Sequence, residues 1–154
     1  MTPKILHIGI VEVQFGEDVT VVEPVNLYRC TIEDHAFIGP FVEVQANVRI
    51  GSRSRIQSHS FICEGVTIGQ SCFIGHGVMF VNDTFSTGGP AGDKQKWKPT
   101  LIGDRVSIGS NATIMPVTIC SDVVIGAGAV VTRDIDVPGI YAGNPARFLR
   151  AMNT

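Results

Sequence analysis

The stretch Ile62-Cys63-Glu64-Gly65-Val66-Thr67-Ile68-Gly69-Gln70-Ser71-Cys72-Phe73-Ile74-Gly75-His76-Gly77-Val78-Met79-Phe80 carries an aliphatic or aromatic residue at every sixth position: Ile62, Ile68, Ile74 and Phe80. Toward the N-terminus the spacing runs back without a miss through Ile56, Ile50, Val44 and Ile38 to Ile32. Glycine follows the anchor at Gly39, Gly51, Gly69 and Gly75, and a small or β-branched residue stands four places after it, as at Val42, Val48, Val66, Cys72 and Val78. A period of six fits neither the 3.6-residue turn of a helix nor the two-residue alternation of a lone strand. It fits a chain that makes a short strand, turns and repeats, so that three hexads close one triangular coil. The expected fold is an all-β solenoid of parallel strands.

Working outward, Ile102, Ile108 and Ile114 resume the pattern, and after one five-residue step Ile119, Ile125 and Val131 continue it. The short step falls at Met115-Pro116-Val117-Thr118, where proline fixes φ and tightens a corner. Phe15, Val21 and Leu27 read as earlier anchors, again with a five-residue step to Ile32. Between Thr84 and Leu101 the pattern fails. Residues 85–100 are rich in Gly, Pro and charge and are expected to form a loop extruded from one corner, of a length that is usually functional or disordered. After Val131 the hexads break, and the helix formers of 146–152 suggest a short C-terminal helix, within a cap at about 137–154, that covers the open end of the solenoid.

The 154 residues fall in the range of a single domain, 1–154, and with 44% hydrophobic residues they can fill a narrow core. Only 7% are aromatic, which suits a prism interior of Ile, Val, Ala and Cys. A net charge of -2 gives no support to a nucleic-acid or anionic-membrane partner. No charged segment followed by a long apolar run opens the chain, so neither a signal peptide nor a spanning helix is expected, and the default location is cytoplasmic. Cys30, Cys63, Cys72 and Cys120 are too scattered for a zinc pattern, and Cys72 is expected to be a small core residue.

The hexads, the run Ile125-Gly126-Ala127-Gly128-Ala129-Val130-Val131-Thr132 and the ending Tyr141-Ala142-Gly143-Asn144-Pro145-Ala146-Arg147 resemble the hexapeptide-repeat acyltransferases over nearly the whole chain. The resemblance implies a left-handed parallel β-helix, an exception to the right-handed crossover rule. It also implies a homotrimer and an acyl-CoA donor, usually acetyl-CoA. The segment Val78-Met79-Phe80-Val81-Asn82-Asp83 before the loop is similar to a narrower group. Those enzymes N-acetylate nucleotide-linked amino sugars made for bacterial surface glycans such as lipopolysaccharide. In that group the residue matching Asn82 is implicated at the substrate amine. The thiogalactoside and serine acetyltransferases instead place a catalytic His near this loop, and none occurs here after His76.

The repeat gives neighbours by arithmetic. Residues three hexads apart lie above one another on adjacent coils, about 4.8 Å from each other. Glu64 therefore stacks beneath Asn82, and His59 falls one place from His76. These four and Asp83 are candidates for a polar patch spanning two corners. Acetyl transfer to an amine needs a neutral nitrogen beside a thioester carbonyl and a destination for the proton. Asn82 is assigned to amine positioning, and the base is left open between His76, His59 and Glu64, the last only if burial raises its pKa, or the departing CoA thiolate. Asp83, Glu64 and Trp97 are candidate substrate contacts, although Trp97 also reads as a packing anchor for the loop.

By the same resemblance, the backbones at Gly109, Ser110, Ala127 and Gly128 hold the pantetheine arm of CoA, with Arg147, Lys98 and Arg133 toward its phosphates. No metal is expected. The carbonic anhydrases of this fold need closely spaced histidines, and His35, His59 and His76 are far apart in the chain. O-acetylation of a sugar or glycan, and a non-catalytic scaffold, are the alternative functions.

Overall fold

A computed structural model describes residues 1–152 and shows a solenoid of parallel two- to four-residue strands arranged as three sheets. Seven strands, from Ile10–Val11 through Phe61–Ile62 and Met79–Phe80 to Val130–Val131, form the first face. Six, from Gln14–Phe15 through Val66–Ile68 and Thr100–Ile102 to Thr118–Ile119, form the second. Eight, from Thr20–Val21 through Phe73–Ile74 to Arg147–Arg150, form the third. The chain visits the faces in that order, so each coil has three corners. One follows the first face, one the second, one the third.

A strand of two residues has no stability by itself. Here every anchor sits in register over its counterpart in the next coil. Ile32 pairs with Ile50 and Ile50 with Ile68, while Ile38 pairs with Ile56 and Ile56 with Ile74. The anchors from Ile32 to Phe80 are all at most 1% exposed. Val42, Val48, Val66, Cys72 and Val78, the residues four places after an anchor, line the same continuous core. The interior of the prism is a set of stacked aliphatic columns, each side chain buried by the coils below and above it.

Two features explain the corners. Where glycine follows an anchor it can face the next coil very closely: a Cβ on Gly69 would lie 2.6 Å from Gly103 O, and one on Gly109 would lie 2.4 Å from Ala127 N. Close approach, more than backbone freedom, therefore selects glycine there. The corner residues with positive φ are mostly other types, such as His35, Asn47, Arg53, His59 and Asn111. That conformation is costly for side-chain-bearing residues. At these corners it turns the N–H along the solenoid axis, so that Asn47 donates to Arg29 O, His59 to Pro40 O and Asn111 to His76 O.

The expected irregularities are present, with corrections at both ends and at the loop boundary. Ile50 pairs with Ile68 after one regular coil, whereas Ile68 pairs with Ile102, so the coil between those two carries the insertion. It leaves the corner after the first face, but Thr100, expected in the loop, is 1% exposed and opens the strand Thr100–Ile102. Its partner is Val66. Phe15, expected as an anchor, occupies the strand position below Ile32 yet is 44% exposed, because it belongs to the first visit to the second face and no strand of the described residues pairs beneath it.

The hexads do not end at Val131. Ile135 bridges Ile119, and Tyr141 pairs with Ile125, so the coil makes one more looser turn. The expected C-terminal helix is a β-hairpin instead. Arg147–Arg150 runs antiparallel to Gly139–Ala142, which is itself paired to Val123–Ile125. An open strand edge offers unpaired backbone groups along its length, and this pull outweighs the helix propensity of 146–152. The Phe148 ring packs edge-on to Tyr141 at 5.5 Å. Residues 153–154 of the expected cap lie outside the described part.

The four cysteines are free thiols. Burial pushes Cys30 up to about 11 and Cys63 up to about 12, so both behave as small apolar core groups. No helix among the described residues is long and apolar enough to cross a membrane.

Candidate functional site

The corner after the first face carries the polar residues that the repeat places together. Asn82 lies one coil above Glu64, and its side-chain Nδ2 donates to Glu64 O at 3.1 Å. The stacking derived from the repeat is thus correct, although the bond reaches the backbone of Glu64 and not its carboxylate. One coil below, Gln45 Oε1 accepts from the Glu64 N–H at 3.2 Å. Two side-chain amides clamp the Glu64 peptide from opposite sides along the axis. Its carboxylate accepts from Asn47 Nδ2 at 3.1 Å and from Lys94 Nζ at 2.7 Å.

The hydrogen bond from Lys94, then that from Asn47, holds the Glu64 carboxyl below the usual carboxylate range. The condition for Glu64 as a base, a pKa raised by burial, is not met here: Glu64 is an anion near neutral pH, suited to hold a cation and poorly suited to take a proton. Tyr28 stands close by, its phenol pushed up first by burial and then by the Glu43 carboxylate, with the charges of Lys94 and Glu64 also reaching it.

The inserted loop leaves and rejoins the solenoid here. Asn82 O accepts from Lys98 N–H at 3.2 Å, which closes the loop at its base. Asp83 shapes the loop's first half, Oδ1 accepting from Phe85 N–H and Oδ2 from Ala91 N–H. Asp83 thereby acts as a loop organiser in addition to being a candidate substrate contact. The second half makes a single 3-10 turn at Lys94–Lys96, N-capped by Asp93. That turn carries Lys94 back to Glu64 and sets its Nζ 5.3 Å from the Trp97 ring centroid. Trp97 is half-buried, and its indole Nε1 is buried without a hydrogen-bond partner among the described residues. Asn82 is not among the positive-φ residues, so tolerance of left-handed backbone does not account for it.

Beside these groups is a hollow of about 180 Å³ lined by Asn47, Glu64, Gly65, Lys94, Trp97 and Lys98. A larger one of about 560 Å³ adjoins it toward the N-terminus, shares Asn47, and is lined by Arg29 and Arg49 among others. Arg49 is paired with Glu33.

The other expected site residues are elsewhere. His59 and His76 sit on the corner after the third face, separated from Glu64 and Asn82 by the width of the first sheet. Both are exposed; His59 stacks on Phe41 with ring centroids 4.9 Å apart. The chain itself therefore does not gather the polar patch expected over two corners. His35 is an exposed corner residue beside Asp18, 3.6 Å away.

The candidate CoA residues fall into three places. Gly109, Ser110, Ala127 and Gly128 share the corner after the third face on consecutive coils, and Gly128 N–H donates to Ser110 O at 2.9 Å. A Cβ on Gly128 would meet no atom of the described residues within 4 Å, which suits close approach of a thin chain. Arg133 and Arg147 line one hollow of about 170 Å³ with Tyr141 and Phe148. Lys98 stands apart on the loop corner.

Sequence reasoning missed Lys94, Asn47 and Gln45. The two amides could have been found, since each lies close to one coil before Glu64 in the chain. No periodic rule reaches Lys94.

The pattern of the bacterial transferase hexapeptide, six repeats, matches residues 29–64, and that of the hexapeptide repeat of succinyl-transferase matches residues 99–133. The chain is similar to the bifunctional protein GlmU of Dichelobacter nodosus (strain VCS1703A), 40% identical over 108 residues that make up 70% of this chain and 21% of that protein. The chain thus spans about a fifth of the length of this curated relative. Among solved structures, one similar to it is a point mutant of AntD, an N-acyltransferase from Bacillus cereus in complex with dTDP and coenzyme A. The TM-score is 0.80 at 23% identity, covering 91% of this chain and 84% of that one, a likeness of fold. Another is a hexapeptide-repeat acetyltransferase from Vibrio cholerae O1 biovar eltor in complex with acetyl coenzyme A, with TM-score 0.64 at 25% identity, covering 79% of this chain and 70% of that one.

Proposed function

Since the chain belongs to the hexapeptide-repeat acyltransferases, we propose that it transfers an acetyl group from acetyl-CoA to the amino group of a nucleotide-linked amino sugar, in the synthesis of a bacterial surface glycan. The observation that carries this reading is the set of side chains converging on Glu64 at the loop corner: Gln45 and Asn82 on its peptide, Asn47 and Lys94 on its carboxylate. Glu33 is held in a similar way by Arg49 and Ser52, but the Glu64 carboxylate lines the hollow at the base of the inserted loop, where a positioned anion can receive a substrate ammonium beside a reacting thioester. AntD, an N-acyltransferase bound to dTDP and coenzyme A, shares the fold and supports the substrate class.

In this reading the amino group docks between Glu64 and the carbonyl oxygen of the Asn82 side chain, and the nucleotide lies along the larger adjoining hollow. Once the ammonium has lost one proton to solvent water, the nitrogen lone pair attacks the thioester carbonyl carbon. The C–N bond forms, the C–S bond breaks, and the departing CoA thiolate takes the remaining proton. The depressed pKa of Glu64 favours its role as an anchor for the cation over that of general base.

The chain acts as a cytoplasmic homotrimer of left-handed coils, and a neighbouring copy supplies His59, His76 and the small-residue corner of Gly109, Ser110, Ala127 and Gly128 to the groove where CoA lies. The reading is tested by thiol release from acetyl-CoA with UDP- and dTDP-linked amino sugars and their hydroxy counterparts. Release confined to amino sugars and lowered in Asn82→Ala is the expected result. Release with hydroxy sugars would establish O-acetylation instead, and no release with no CoA binding would leave a scaffold.

A further inference from the structure

Lys94 has the chemistry of the group that the proposed site would receive. It presents a primary ammonium on a flexible stem, directed at the Glu64 carboxylate at 2.7 Å and lying over the Trp97 ring, 5.3 Å from its centroid. Carboxylate, side-chain amide and aromatic face are the partners that recognise an organic ammonium. All of them line the hollow of about 180 Å³, and Lys94 lines it with them.

The two partners differ in how firmly they are held. Glu64 is fixed at its peptide and carboxylate, and its side chain is 20% exposed. Lys94 is 69% exposed and belongs to a single short turn in the middle of the inserted loop. An ion pair with one end rigid and the other mobile and solvated is readily exchanged, since exposed pairs contribute little. The buried, unpartnered Trp97 Nε1 is a second sign that the pocket wall is incomplete as it stands.

We infer that Lys94 is an internal stand-in for the acceptor's ammonium group, filling the Asn47–Glu64–Trp97 cage until a substrate amine displaces it and frees the second half of the loop. The inference rests on the proposed N-acetylation for the identity of the displacing amine, but the cage itself is testable without any reaction. It assigns Lys94 and Trp97 to acceptor selection: an amine can replace the lysine on Glu64, and a neutral hydroxyl cannot supply the lost positive charge.

Trp97 is the only tryptophan, so its fluorescence reports on the cage. In Lys94→Ala, propylammonium chloride should change Trp97 emission saturably, whereas propanol at equal concentration and sodium chloride at equal ionic strength should not. Wild type, its cage already filled, should respond at concentrations about two- to fivefold higher, the scale on which an exposed ion pair competes. Lys94→Ala combined with Glu64→Gln should not respond. A response unchanged by Glu64→Gln, or none in Lys94→Ala while circular dichroism shows it folded, overturns the cage. In the thiol-release assay, Lys94→Ala should lower KM for the amino acceptor by about two- to fivefold. An unchanged or raised KM overturns displacement even if the cage binds propylammonium. Absence of thiol release with every amino sugar would remove the proposed function and leave the fluorescence result standing.

Discussion

The corner after the third face and the corner after the first face are built on the same period and end in different states. At the former, Gly75-His76-Gly77-Val78 turns as its neighbours do, with Gly77 N–H donating to Ser58 O and His76 O accepting from Asn111 N–H. The bonds there repeat from coil to coil. At the latter, the inserted loop interrupts the column, and side chains take over. Asn82, Gln45, Asn47 and Lys94 converge on Glu64. Side chains also bond corner N–H groups at the corner after the second face, as Glu33 does Ser52 and Asp104 does Gln70, but there no inserted loop brings a further residue in. Repetition makes a rigid frame, and its interruption makes a site.

Disturbing the frame should give the largest effects. Ile68→Ala, in a column fully enclosed by Ile50 and Ile102, should cost about 3 kcal/mol by removing buried methyl groups and leaving a cavity, measured by urea denaturation. A cost under about 1 kcal/mol would mean that the coils collapse around the gap and that the columns are not the principal support. Next in size is Gly109→Ala. Its Cβ would meet Ala127 N at 2.4 Å, so the coils must separate, at about 2 kcal/mol by the cost of overpacking. No loss there would contradict close approach as the reason for the glycine.

At the loop corner the effect should be local. Glu64→Gln keeps the fold and its melting temperature nearly unchanged, yet releases Lys94 and raises the access of acrylamide to Trp97. A large fall in melting temperature would make the carboxylate a structural element. Acid should do the same reversibly. The folded pKa of Glu64 lies below its unfolded value, so the stabilising pair is complete above the ordinary carboxylate range near about 4 and is lost as pH falls through the depressed value. Trp97 quenching should therefore rise only on acidification below about 4 in wild type and stay flat in Glu64→Gln. The smallest effect is expected at the regular corner, where Asn111→Gly exchanges a strained left-handed residue for one that adopts φ of 59° freely and should shift stability by less than about 1 kcal/mol.

The same contrast explains what was legible in the sequence. Ile32 to Phe80 could be read because each anchor repeats the environment of the last, and the repeat also placed Glu64 beneath Asn82. Reading failed where the environment does not repeat. Phe15 keeps the anchor position but has no coil beneath it. The segment 146–152 has helix formers but meets an open sheet edge and becomes a strand over Arg147–Arg150. His59 and His76 share a corner that a full sheet separates from Glu64 within one chain, so the repeat leaves their approach to Glu64 to a neighbouring copy. Lys94 was invisible because its placement depends on the path of the loop, set by the Asp83 bonds and the turn capped by Asp93.

Whether the interrupted corner, and Glu64 within it, holds the acceptor amine for acyl transfer is tested most directly by kcat/KM for acetyl-CoA-dependent thiol release. Glu64→Gln would be measured beside wild type with the best amino-sugar acceptor, and CoA affinity determined on both. The expected result is a fall of about 100-fold, the size of losing one positioned charged group at a reacting centre, with CoA binding retained. Undiminished turnover in a folded Glu64→Gln protein would contradict that role.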